Sequence, residues 1–401
     1  MPEMEKVRFV KVLLHIIFFL SGIAAVLIGQ VLPIMAAHFT LTDLQVGYFF
    51  PSQFAGSLLG SYATNRFGKR NNYMAASVIG AVAMAVGVLL LNVNSFEVCV
   101  AGFFVNGMGI GLTLPAINMM IIEVNPERTG PALSILNLCW GIGAIICKPF
   151  VDLFSTTDSI GATTLILALP LLASGVLLRF VALAGRSERH KPEELSSADD
   201  TPIWRMPIAW AIAFFNFVHV GFESGIGGWL TTYTGRVEGE PVFHWLSPTL
   251  LYFSFFVIGR GAAPVLFRFL NENKMLFLGL GIMLAGISLI LWAETVVALS
   301  MGAAVAGFGT SWIFPTNVSR FSKTFGPAAN RRAVPLFMAG TLGAAAVTWL
   351  IGYLSDKTGD LRSGMFILAL SVAVLLILQA GLSMWERRMP RLTDRAISNN
   401  P

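Results

Sequence analysis

The chain alternates long apolar runs with short polar punctuation from one end to the other. Runs of about 20 residues are what a helix needs to cross a bilayer. The pattern predicts spans at 9–36, 43–65, 71–92, 96–122, 129–153 and 159–184, then at 206–234, 246–268, 273–294, 296–318, 330–353 and 362–385. Connections are short except one. That stretch, RSERHKPEELSSADDTPIWR, is charged and carries Ser and Pro, the composition of a linker. The expected architecture is therefore an all-α integral membrane protein with twelve transmembrane helices in two six-helix halves. Residues 1–185 form the first half, 186–205 the cytoplasmic linker and 206–401 the second half. The first apolar run is too long for a signal-peptide core and lacks a convincing cleavage site.

Composition agrees with the pattern. Apolar residues make up 55% of the chain and charged ones 12%, against about a quarter charged in an ordinary soluble domain. Cys99, Cys139 and Cys147 all fall in apolar runs, show no metal-ligand spacing and read as small buried residues. The net charge of +5 is resolved by sorting its residues by side. With the N-terminus in the cytoplasm, 22 of the 27 Lys and Arg lie in cytoplasmic segments. The outer loops then hold Arg236, Lys357 and Arg362, and the spans hold Lys148 and Arg260. This bias places both termini in the cytoplasm. The basic residues are topology signals, and nothing points to nucleic acid. Two six-helix halves joined by a cytoplasmic linker suggest an alternating-access carrier with a midplane site.

The loop after the second span reads GSYATNRFGKR. It resembles the signature of the major facilitator superfamily: Gly60, Arg66, Gly68, Lys69 and Arg70 match, and Asn65 stands where the family usually has Asp. The glycines permit close helix approach, and the missing acid weakens the charge interactions ascribed to this gating loop. GFESGIGGWLTTY, FFVIGRGAAPVLFRF, GFGTSWIFPTNVSRF and AGTLGAAAVTWLIGYLSDKTG resemble, in order, helices seven, eight, ten and eleven of the fucose permease-like subfamily. The resemblance covers nearly the whole chain and implies import of a monosaccharide with a proton or sodium ion. The subfamily's carboxylates in helices one and four are absent here: Gly29 and Leu114 stand at those places by rough alignment.

Charged groups inside a span are costly and face the bundle interior or water. Away from span ends they are His15, Lys148, Asp152, His219, Glu223 and Arg260. Asn216, His219 and Glu223 share one helix face. Gly225, Gly227 and Gly228 follow, a composition that can break the helix and turn backbone groups toward a cavity. Glu223 reads as a coupling carboxylate or a sugar-hydroxyl acceptor, with a structural ion pair as the alternative. His219 reads equally as its helper or as a packing histidine. Lys148 and Asp152 are four residues apart and pair with each other in the simpler reading; in the sharper one they take part in coupling or bind an anion. Arg260 reads first as a structural arginine. Asn137 and Trp140 could hold a sugar by its hydroxyls and its apolar face. Gln30, Gln53, Asn106, Asn118, Trp229, Trp312, Asn317 and Thr341 complete the uncharged candidates. Several lie in helices one, four, seven and ten, which line the cavity in the resembled family. Amides suit sugars because each offers donors and an acceptor with no charge to desolvate, but they also join helices.

No nucleotide-binding loop, HExxH or GxSxG motif is present. The expected protein is thus not an enzyme and needs no cofactor or metal. It is a multi-pass, monomeric inner-membrane secondary transporter for a small polar solute, most simply a monosaccharide, coupled to a proton or sodium ion. An exporter of amphipathic compounds, a carrier of anionic sugar derivatives clamped by Lys148 and Arg260, and an uncoupled facilitator are the competing readings. A non-transporting receptor has no positive support.

Overall fold

The computed structural model describes residues 3–69, 72–124, 129–183, 203–237, 247–326 and 333–388. The linker stretch up to residue 202 and Arg70 of the gating loop lie outside the described residues. Within them the chain is helical almost throughout. The helices are α1 (Glu3–Phe39), α2 (Asp43–Gly47), α3 (Phe49–Lys69), α4 (Tyr73–Leu90), α5 (Phe96–Val124), α6 (Thr129–Phe154), α7 (Gly161–Leu183), α8 (Pro207–Thr234), α9 (Pro248–Leu266), α10 (Glu272–Trp292), α11 (Val296–Thr310), α12 (Ile313–Phe325), α13 (Val334–Thr358) and α14 (Leu361–Arg388). Their starts are written in the sequence. Thr42 and Gln45 form a reciprocal capping box on α2, and Asn72, Ser247, Asn271 and Thr295 each cap a helix by accepting from an N–H of the first turn.

Ten stretches among the described residues are long and apolar enough to cross a membrane, α11 and α12 counting together as one. The two long helices that do not qualify are α3 and α8. Both are long enough but carry more polar residues, including Gln53, Asn65 and Arg66 on α3 and Asn216, His219 and Glu223 on α8.

Two details differ from the hydropathy pattern. The run from 43 is divided at Tyr48 into α2 and α3, and the run from 296 is divided at Ser311 and Trp312 into α11 and α12. The expected break after Glu223 is absent: α8 is continuous through Gly225, Gly227 and Gly228. These glycines serve packing instead. A Cβ at Gly225 would come within 2.6 Å of Leu368, and one at Gly228 within 2.5 Å of Phe50. Small residues here let neighbours approach without giving up intrahelical hydrogen bonds.

The chain divides into two compact units. The first comprises Met1–Glu194 with Gly228–Arg236 and Gly352–Lys357; the second comprises Leu195–Gly227, Val237–Ile351 and Thr358–Pro401. Each is built on the same internal grid of glycine contacts. In the first unit, Cβ atoms added at Gly107, Gly109 and Gly143 would lie 1.9 Å from the Gln53 carbonyl oxygen, 2.5 Å from the Met84 nitrogen and 2.2 Å from the Phe19 carbonyl oxygen. In the second, Gly307, Gly309 and Gly343 would strike the Tyr252 carbonyl oxygen at 2.2 Å, the Met283 nitrogen at 2.7 Å and the Phe217 carbonyl oxygen at 1.9 Å. The pairs Gly80 and Gly279, Gly87 and Gly286, and Gly102 and Gly302 repeat the same contacts. The two units are thus structural repeats. Aligned on this grid, Glu223 corresponds to Ala25, Tyr252 to Gln53 and Arg260 to Ser61.

The first unit also holds an ion-pair clamp. Arg236 donates to both oxygens of Asp43, at 2.8 and 2.5 Å, and Ser355 donates to the same carboxylate. Burial alone would raise the Asp43 pKa, but the hydrogen bonds from Arg236 and Ser355 and the nearby guanidinium charge outweigh it and hold it below the usual value.

Two outcomes follow. Gly343→Ala forces the Phe217 carbonyl aside and lowers stability by about 1–3 kcal/mol, read as a drop in detergent melting temperature. Because the folded-state pKa of Asp43 is depressed, its stabilisation is complete above the unfolded value and is lost as pH falls through the folded one. Asp43→Asn should therefore cost up to about 1 kcal/mol at neutral pH, Arg236 being partly exposed, and flatten the acid side of the stability profile.

Candidate functional site

The polar centre of the second unit is assembled from α8, α9 and the α11–α12 junction. Asn216, His219 and Glu223 lie on one face of α8, as their spacing requires. Asn216 is fully buried and donates from Nδ2 to the Leu336 carbonyl of α13 at 2.9 Å. His219 is also fully buried; its ring faces the Thr310 backbone, and neither ring nitrogen completes a hydrogen bond. Glu223 is half-buried.

Across from it, Tyr252, Phe256 and Arg260 form an i, i+4, i+8 stripe on α9. The Arg260 guanidinium lies 4.2 Å from the Phe256 ring centroid, a cation–π contact. Its Nε–H donates to the Ser311 carbonyl at 3.4 Å. The reason this carbonyl is free is local. In a continuous helix it would accept from the residue four positions on, but that residue is Pro315, which has no N–H. The helix breaks at Ser311, and Arg260 takes the acceptor the proline leaves. Gly259 permits the approach, since a Cβ there would meet the Ser311 hydroxyl at 2.3 Å. Arg260 also attracts Glu223 electrostatically, and the Tyr252 hydroxyl lies in the field of both. That hydroxyl is buried beside Thr310 without a completed hydrogen bond. The cluster therefore combines an acid, a cation, a phenol and an imidazole, with several donors and acceptors unused.

The first unit answers with amides. Asn106 Nδ2 donates to the Ala24 carbonyl at 3.0 Å and to Gln53 Oε1 at 3.3 Å, and Gln53 Nε2 donates to the Ala25 carbonyl at 3.1 Å. This triad joins α1, α3 and α5. Thr231 donates to Gln30 Oε1 at 2.7 Å, and the Trp229 ring packs against Phe50 with centroids 5.9 Å apart. Pro115 leaves the Gly111 carbonyl without its helical donor, and the Thr64 hydroxyl lies 3.2 Å from it, sharing one proton with the Gly60 carbonyl at 3.0 Å and the Leu112 carbonyl at 3.2 Å.

The remaining predicted residues are placed as follows. Lys148 and Asp152 form an i, i+4 ion pair on α6. Asn118 and Asn137 donate to carbonyls of their own helices, Leu114 and Leu133, and Asn137 is exposed. Trp140 is half-buried, with its Nε1 enclosed and without a partner. Trp312 is fully buried and donates to the Met275 carbonyl at 2.9 Å; Asn317 donates to the Ile212 carbonyl at 3.2 Å, tying α12 to α8. Thr341 donates back along α13 to Phe337. In the gating loop, Gly60 packs on the Met108 carbonyl and Gly68 on the Tyr73 hydroxyl. Asn65 and Arg66 are exposed, Arg66 over the Tyr62 ring, and Lys69 ends α3.

Residues that hydropathy reasoning passed over are Tyr252, Thr310 and a second network around Arg320. Arg320, only 4% exposed, pairs with Glu386 at 2.9 Å and donates to Asn273 and Gln379 at 3.1 and 2.8 Å. Its signal was present, but Arg320 and Glu386 lie near helix ends, where charge reads as topology. Tyr252 was legible as the residue two turns before Arg260 on the same face.

The profile described as Major Facilitator Superfamily matches residues 14–334. The chain belongs to that superfamily. It is a membrane transporter with many apolar helices and not an enzyme. Among curated proteins it is similar to the L-fucose-proton symporter of Escherichia coli (strain K12), 23% identical over 91% of each chain. A second relative, facilitated glucose transporter member 1 of solute carrier family 2 from Gallus gallus, is 28% identical over 165 residues, 39% of this chain and 34% of that protein. Among solved structures it resembles the Major Facilitator Superfamily transporter FucP in the outward conformation, with a TM-score of 0.62 and 20% identity over 93% of this chain and 98% of that one. This last likeness shows the fold.

Glu223 and Arg260 attract each other without a direct ion pair. Arg260→Gln should therefore destabilise the protein by about 1–2 kcal/mol, and Glu223→Gln/Arg260→Gln should recover part of that loss. A double-mutant cycle on melting temperature reads the coupling; additive losses would show that the two groups do not interact.

Proposed function

We propose that this chain is a secondary active transporter that carries a monosaccharide across the inner membrane by alternating access, coupled to a cation through Glu223. Glu223 carries the reading: it is a half-buried acid within α8 that lies in the field of the Arg260 cation. Burial disfavours the charge on this carboxylate and the Arg260 cation favours it, and opposed effects of this kind suit a coupling group. The names of the relatives, a fucose-proton symporter and a facilitated glucose transporter, support sugar as cargo.

In this reading twelve segments cross the bilayer, with α11 and α12 forming one crossing and α2 none. Both termini are cytoplasmic, and residues 1–185 and 206–401 are the two halves that alternate. The protein works as a monomer without a cofactor. Gln30, Asn106, Asn317 and Trp140 keep polar atoms that are buried without a protein partner. Such atoms are costly unless water or a ligand answers them, and sugar hydroxyls are matched to them. Gln53, Asn118, Asn137, Trp229 and Trp312 complete the proposed substrate set. His219 assists Glu223, and Lys148 with Asp152 forms a secondary charged site. The loop from Gly60 through Asn65, Arg66, Gly68, Lys69 and Arg70 gates the cytoplasmic side.

The test is transport by purified protein in liposomes with a sugar panel. Wild type should show sugar counterflow and, under an inward proton gradient, concentrative uptake. Glu223→Gln should lower concentrative uptake by about tenfold or more while retaining counterflow. Full concentrative uptake with unchanged pH dependence in that variant would falsify the coupling role. Counterflow without any gradient-driven accumulation in wild type favours a facilitator, and counterflow of hydrophobic cations or sugar acids alone replaces the cargo.

A further inference from the structure

We propose that the Tyr252 hydroxyl positions the Glu223 carboxylate, donating to it when it is ionised and turning to Thr310 when it is protonated. The phenol is fully buried, and its hydroxyl completes no hydrogen bond among the described residues. A buried hydroxyl without a partner is costly, so its polar neighbours decide its role. Within reach are the Thr310 side chain and the field of Glu223 and Arg260. Arg260 offers only donors. Thr310 has already placed its proton: its hydroxyl donates to the Ala306 carbonyl at 2.7 Å. Its oxygen can therefore only accept from Tyr252. An ionised carboxylate also only accepts. The single phenol proton thus has two destinations, and the protonation of Glu223 selects between them. Against the carboxylate it makes a charge-assisted bond. Beside a protonated Glu223 it turns to Thr310, and the phenol oxygen accepts the proton of the acid. Each donor is then answered in sequence, from Glu223 to Tyr252, to Thr310, to the Ala306 carbonyl.

The internal repeat supports this placement. Tyr252 is aligned with Gln53, and Glu223 with Ala25. In the first unit Gln53 bridges two helices: Nε2 donates to the Ala25 carbonyl of α1 at 3.1 Å, and Oε1 accepts from Asn106 of α5 at 3.3 Å. In the second unit Ala306 stands where Asn106 does, so α11 presents no amide at that position. The longer phenol reaches Thr310, one turn further along α11, and the acid on α8 takes the place of the backbone acceptor. The two helices touch at this level, since a Cβ at Gly227 would lie 3.2 Å from the Phe253 ring. Within the second unit the other titratable or charged groups near the carboxylate are His219 on α8 and Arg260 on α9. Neither α11 nor residues 334–351 of α13 carry any, and the cations of α12 pair with Glu272 and Glu386. The proposal rests on the coupling role of Glu223 and adds the residue that presents its carboxylate.

The experiment is an infrared difference titration of the full-length protein in liposomes, run beside the uptake assay with the sugar panel. The carboxyl band of Glu223 is assigned by its loss in Glu223→Gln. Tyr252→Phe removes the hydroxyl but keeps the ring against Phe253 and Phe256. In that variant the band of the protonated acid should move to higher wavenumber, as a carboxyl released from hydrogen bonding does. Its titration midpoint should rise by about one pH unit, because the ionised form loses the stronger bond. Thr310→Val keeps the phenol and the side-chain shape but removes the second acceptor. Its midpoint should fall, because only the protonated form of Glu223 needs Thr310. A role for Tyr252 in packing alone moves neither midpoint. An unchanged band and midpoint in Tyr252→Phe, shifts of the same sign in both variants, or a carboxylate that never protonates each overturns the proposal. Opposite shifts in a protein that accumulates no sugar under a proton gradient support the Tyr252 contact and remove the coupling role of Glu223. Accumulation with unshifted midpoints does the reverse.

Discussion

The helices of this protein approach one another backbone to backbone, and the rest of the structure depends on that closeness. Inside a bilayer, water and hydrophobic collapse do not press helices together, so packing must come from shape. Glycine supplies it here at matched places in both repeats: Gly107 and Gly307, Gly109 and Gly309, Gly143 and Gly343. Where the helical ladder is interrupted, a side chain completes it. Thr64 shares its proton with the carbonyl freed by Pro115, and Arg260 donates to the one freed by Pro315. The first repeat needs only a hydroxyl for this task. The second uses a cation, and that cation brings Glu223 into its field.

The two repeats therefore share a scaffold and differ in chemistry. Ala25 and Ser61 stand in the first where Glu223 and Arg260 stand in the second, and Gln53 stands where Tyr252 does. At these aligned positions the first unit carries an amide joined to a backbone carbonyl, and the second carries charge.

Much of this was legible in the sequence, for physical reasons. Apolar runs have to be about as long as the bilayer is thick, so they stand out. Glu223 stands out because a carboxylate in such a run is costly. The Gly-rich stretch after it was harder to read. Glycine both breaks helices and lets them touch, and only the positions of Leu368 and Phe50 decide that Gly225 and Gly228 do the latter. The role of Arg260 was hidden for a similar reason: its partners are a carbonyl at the end of α11 and an acid on another helix. Arg320 and Glu386 escaped because charge near a helix end has an ordinary explanation in topology. Whether Asn106 or Asn317 joins helices or meets solute was also out of reach, since each side chain can do one task with Nδ2 and leave Oδ1 for another.

The duplicated glycines also limit how the chain can vary in length. One residue inserted within α5 or α11 turns everything beyond it by about 100° about the helix axis. Gly107 or Gly307 would then leave its contact, and a side chain would be driven into the Gln53 or Tyr252 backbone. Gains and losses of residues are thereby excluded from the helix interiors and confined to the connections, so loops can diverge in length while the helices keep their register.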